Sequence, residues 1–78
     1  MERSFPFISC IKLQTALDNI LVNPRNLTYE KAMEYSLLAT NIKQELQKYP
    51  SSRNKDNCYS LIAIIRLNLR SFFARHGK

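Results

Sequence analysis

The residues with chemistry to offer are few and far apart. His76 is the one imidazole in the 78-residue chain, and no carboxylate follows it to orient the ring. General acid–base work needs a group held within hydrogen-bond reach of its substrate. A histidine in a terminal helical turn more simply complements the helix dipole. The six acids (Glu2, Asp18, Glu30, Glu34, Glu45, Asp56) are scattered. Only Glu30 and Glu34, at i and i+4, share a helical face, and that spacing reads as a solvated surface. Cys10, Cys58 and His76 lack the short spacings of a metal site. The single glycine, Gly77, excludes a phosphate-cradling loop and a dinucleotide fingerprint. The expectation is a protein that is not an enzyme and holds no metal or cofactor.

Basic side chains are the more informative set. Twelve Lys and Arg stand against six Asp and Glu, a formal charge of +6. The excess is uneven: residues 53–78 hold Arg53, Lys55, Arg66, Arg70, Arg75 and Lys78 against Asp56 alone, a net +5. Such asymmetry favours an acidic partner, whether nucleic acid, anionic lipid or an acidic protein face. Arg66 and Arg70 are one helical turn apart and form a local pair. Nucleic-acid recognition is the less favoured reading. A reading helix presents Asn, Gln, Arg or Lys along one face, whereas the stretch carrying this pair is mostly Leu, Ile and Phe.

The elements that must position these groups are helices. Apolar residues make up 45% and charged residues 23% of the chain, a globular composition. At this length the chain is a single domain, residues 1–78, with room for one modest core. The first helix is expected over 5–22, with Ser4 as cap and Pro6 in its first turn. Cys10, Leu13, Leu17, Ile20 and Leu21 fall on one arc, with Ala16 beside them. Asn23-Pro24 stops it. The second helix is expected over 28–49, capped by Thr28 and closed by Tyr49-Pro50, with Ala32, Tyr35, Leu38, Ala39, Ile42, Leu46 and Tyr49 inward. A polar connection, 50–57, leads to a third helix over 57–76, whose principal face is Cys58, Leu61, Ile62, Ile65, Leu69, Phe72 and Phe73. The predicted architecture is an all-α, antiparallel, up-down-up three-helix bundle, open to completion by dimerisation.

No segment reaches the roughly 18–20 apolar residues of a membrane span, and the first residues lack the pattern of a signal peptide. The expectation is a cytoplasmic protein whose Cys10 and Cys58 stay reduced as small apolar fillers; a disulfide between them requires two helices to bring them together.

One feature exceeds what a small bundle needs. Ile64 and Leu67 point away from the principal face of the third helix, and Met33 and Leu37, at i and i+4, do the same on the second. Scattered exposed apolar residues are ordinary, but with Arg66, Arg70 and Arg75 these form a candidate partner-binding set. Its partner is a protein with an acidic or apolar surface, a second copy in a homodimer, or a membrane surface touched peripherally. Residues 58–78 have the composition of an interfacial amphipathic helix.

The run Leu17-Asp18-Asn19-Ile20-Leu21-Val22-Asn23-Pro24, the helix ending Leu37-Leu38-Ala39-Thr40-Asn41-Ile42-Lys43-Gln44-Glu45-Leu46-Gln47-Lys48, and the later ending Phe72-Phe73-Ala74-Arg75-His76-Gly77 resemble the class II bacteriocin immunity proteins. These are small basic helical bundles that protect a producer cell from its own pore-forming peptide. The resemblance covers about residues 15–77. It implies a cytosolic protein acting at the inner membrane face on a receptor or pore complex, with no catalytic or ligand residue to carry over. That family has a fourth helix, and the sequence stops where it would begin. A small regulator or inhibitor of a protein target is the alternative reading, and a basic nucleic-acid-binding regulator the next.

Overall fold

The computed structural model describes residues 5–76; the Ser4 cap, the His76 side chain and Lys78 lie outside the described residues. Three helices follow one another: α1 over Phe7–Val22, α2 over Tyr29–Leu46 and α3 over Arg53–His76. They form the expected up-down-up bundle, with no strand among the described residues. Ring and side-chain contacts fix the directions. Phe5, just before α1, meets Tyr49, just after α2, edge to face at 5.9 Å. Ser9 Oγ donates to Glu45 Oε1 at the same end. At the other end Tyr29, opening α2, meets Phe73 near the close of α3 at 5.4 Å.

The helix boundaries follow local chemistry. Pro6 stands before α1 rather than in its first turn, and its carbonyl accepts from the Ser9 and Cys10 amides. The Asn23-Pro24 stop is a single 3-10 turn, Pro24–Asn26. Thr28 caps α2 as expected, its Oγ1 accepting from the Lys31 amide at 3.1 Å, and Leu27 packs against the core behind it. Two boundaries differ from expectation. The second helix ends at Leu46, and the Lys48 and Tyr49 amides turn back to the Glu45 and Leu46 carbonyls. The third begins at Arg53, because Ser52 caps it: Ser52 Oγ accepts from the Lys55 amide at 3.1 Å. Asp56 adds a favourable charge in that first turn. Most of the polar stretch 50–57 is therefore helix.

The longest helix, α3, is the spine. Both α1 and α2 pack along it and touch each other less. The core is one cluster: Leu13, Ala16, Leu17 and Ile20 from α1, Ala32, Ala39, Ile42 and Leu46 from α2, and Cys58, Ile62, Ile65, Leu69 and Phe72 from α3. Two expectations are corrected here. Leu21, expected inward, is 55% exposed; it lies about 40° beyond Leu17 round the helix, past the edge of the buried arc. The cysteines, expected to be reduced, form a disulfide. Parallel α1 and α3 start at the same end of the bundle, which brings the Cys10 and Cys58 Cα atoms to 5.7 Å, inside the range a disulfide bridges.

Candidate functional site

A groove of about 740 Å³ lies between α2 and α3. The small residues Ser36 on α2 and Ala63 on α3 are part of its lining. Its apolar lining is Ile62, Leu67, Leu69 and Phe73, with Tyr59 beside them. Three cations line it: Lys43 from α2, and Arg66 and Arg70 from α3. Among the described residues no carboxylate lines it. The two arginines are four residues apart, a rise of about 6 Å, and both are exposed. Among the described residues the ion pair is Lys31–Glu34, at 3.5 Å on the open face of α2, so the groove cations are not neutralised by salt bridges of the fold.

The arrangement sets apolar area beside paired cations. Hydrophobic area supplies affinity without direction. Guanidinium groups beside it select a carboxylate or phosphate by charge and by paired donors. No described group of three or more His, Cys, Asp or Glu side chains is placed to hold a metal ion.

The predicted partner-binding residues divide among three places. Arg66, Leu67 and Arg70 converge on the groove, with Leu67 65% exposed. Met33 and Leu37 are exposed on α2, further round the helix than Ser36 and Lys43. Ile64 and Arg75 are exposed on α3 but do not line the groove; at 100° per residue both stand roughly 160–180° from Arg66. Lys55 is occupied structurally. Its Nζ donates to the Tyr49 carbonyl at 2.7 Å and lies 5.8 Å from the Tyr59 ring centroid, so it closes the α2–α3 connection.

Sequence reasoning missed Lys43, which shares a stripe of α2 with Tyr29 and Ser36 at i, i+7 and i+14. That spacing was a usable signal once α2 and α3 are antiparallel. It also missed the outer side of α1, where Phe7, Ile8, Ile11, Leu21 and Val22 are each more than half exposed. A second, smaller cleft of about 190 Å³ lies by Asn19, Asn23, Asn26 and Tyr35. Its polar groups serve each other, Asn19 Nδ2 donating to Tyr35 Oη at 3.3 Å. Comparison with protein families, curated proteins and solved structures finds no match to this chain.

Proposed function

We propose that this protein is a non-enzymatic binding protein whose α2–α3 groove docks a protein partner presenting apolar side chains flanked by carboxylates. The observation that supports this reading is the groove lined by Lys43, Arg66 and Arg70 with no acid among the described residues of its walls. Buried apolar anchors with charged neighbours are how interfaces combine affinity with selection. The most specific form of the reading is the immunity-type role implied by the resemblance over about residues 15–77. The groove then closes on a receptor or pore complex from the cytosolic face of the inner membrane, and the producer is protected from its own peptide. Because the cytosol keeps thiols reduced, that role requires the bundle to hold without the Cys10–Cys58 bond.

The test is protection. Expression of the chain in a sensitive bacterium should confer resistance to the cognate pore-forming peptide. The Arg66→Glu/Arg70→Glu variant, checked by circular dichroism for an unchanged helical fold, should lose it. Protection that survives this charge reversal removes the groove from the reading. If no peptide is resisted, the regulator or inhibitor reading takes over, and the partner is sought by affinity purification with the same variant as the control.

A further inference from the structure

A second surface stands apart from the groove. The inward side of α1, Leu13, Ala16, Leu17 and Ile20, is buried in the core. The outward side carries Phe7 and Leu21 at 55%, Ile11 at 63%, Ile8 at 71% and Val22 at 72% exposure. At 100° per residue these five fall within an arc of about 140°. Gln14, Thr15 and Asp18 share that arc. The bundle covers one side of α1 and leaves these five large apolar side chains, at the two ends of the helix, uncovered.

We infer that the outer face of α1 is the contact between two copies of this chain. Charge discriminates among the occupants. The chain carries +6 overall, so two copies repel except where a surface holds no excess. The charges within α1 are Lys12 and Asp18, which cancel over the helix, Asp18 inside the arc and Lys12 about 40° beyond its edge, whereas α3 carries five basic residues and one acidic within Arg53–His76. An acidic protein, a nucleic acid or an anionic bilayer gains nothing at α1 and is drawn to α3. An apolar face on a helix of no net charge, in a strongly basic chain, suits self-association instead.

The pattern along α1 is also self-complementary. Apolar residues stand at both ends, with Gln14, Thr15 and Asp18 between them. An antiparallel, two-fold contact centred on Thr15 sets Ile8 level with the partner's Val22, and the small threonine lies at the crossing. Five large side chains more than half exposed offer on the order of 500 Å² per copy, and with their flanks approach the roughly 800 Å² a standard interface takes from each partner. Since every groove-lining residue belongs to α2 or α3, pairing through α1 leaves both grooves open. The assembly would then present two docking sites to a partner, with the avidity that follows.

The experiment is sedimentation velocity on the full chain over a wide concentration range. The expected result is a mass rising from 9.1 kDa to twice that. Ile8→Lys/Val22→Lys, at two of the most exposed apolar positions, should remain monomeric with unchanged helical circular dichroism. Leu67→Lys, in the groove, should still dimerise. A wild-type chain monomeric throughout, or a dimer that survives Ile8→Lys/Val22→Lys, overturns the inference. So does a dimer abolished by Leu67→Lys, which would move the contact to the groove. Flotation of the wild type with neutral phosphatidylcholine vesicles, lost in Ile8→Lys/Val22→Lys, would replace the second copy with a lipid surface and also overturn it. None of these outcomes depends on the groove's partner.

Discussion

A disulfide and one lysine act at the end of the bundle where α1 and α3 begin. Cys58 is buried among core residues, and its bond to Cys10 closes a loop across a sequence separation of 48. In the chain-entropy view, a closed loop of that size stabilises the fold by about 4 kcal/mol through its effect on the unfolded state. For a domain this small each kcal/mol moves the melting temperature by about 4–8 °C. Reduction with dithiothreitol, or the double variant Cys10→Ala/Cys58→Ala, should therefore lower the thermal midpoint by about 15–30 °C, followed by circular dichroism at 222 nm. A midpoint unmoved by reductant would show that packing alone fixes α1 on α3. Lys55 acts at the same end by another route, with an ammonium that bonds the Tyr49 carbonyl and rests against the Tyr59 ring. Lys55→Met keeps the aliphatic stem and removes the donor. The loss of one charge-assisted bond to a part-buried carbonyl is expected to cost about 1–3 kcal/mol, read as a shift in the urea midpoint without a change in slope.

At the scale of the elements, small residues set how closely helices approach. Ala32 and Ala39 are fully buried on the inner side of α2, and a longer side chain there has nowhere to go. Ala39→Leu should destabilise by about 1–3 kcal/mol through overpacking, whereas Ile65→Ala, at a fully buried site on α3, should cost about 2–5 kcal/mol through a cavity. Chemical denaturation of both variants checks the pair, and an Ala39→Leu protein as stable as the parent would mean α2 does not sit close on the core. These elements were legible in the sequence because their evidence is local: the Thr28 cap, the Asn23-Pro24 stop and the apolar stripe of α3 are each written within a few residues. What escaped was decided by non-local partners or by competing local signals. The polar stretch 50–57 masked a helix start, although Ser52 stood four residues before Asp56. Leu21 matched the inward period of α1 but stands beyond its buried edge. The disulfide depends on the register and closeness of α1 against α3, which the up-down-up topology alone does not give. For the groove, Arg66, Leu67 and Arg70 were legible from their i, i+1 and i+4 positions. Lys43 was not, because its place opposite them follows only from how α2 lies on α3.

At the scale of the whole molecule, the +6 charge is arranged along a body 46 Å long and about half as wide, and its distribution decides what it attracts. Arg53 and Lys55 lie at one end of α3, and Lys55 is engaged with Tyr49 and Tyr59. Arg66 and Arg70 line the groove, with Lys43 facing them from α2. Arg75 lies near the other end of the helix and almost opposite Arg66 in azimuth. Among the described residues Lys43, Arg66 and Arg70 are the cations gathered at the groove, and those three border apolar side chains rather than a flat polar surface. A phosphate backbone meeting that surface would be held by about three contacts, and three released counterions give an affinity that falls about 40-fold between 50 and 200 mM salt. Fluorescence anisotropy with a duplex of mixed sequence should thus show weak binding at low salt, the same for unrelated sequences, and loss near physiological salt. The apolar lining makes the opposite prediction for a protein partner. Salt screens the arginines but does not weaken apolar burial, so binding through the groove should be reduced by salt and not abolished. A duplex affinity falling 1,000-fold or more over the same range would require about five or six phosphate contacts. That many contacts, or sequence selectivity that survives 200 mM salt, would make the basic face of α3 a nucleic-acid surface and the groove incidental to it.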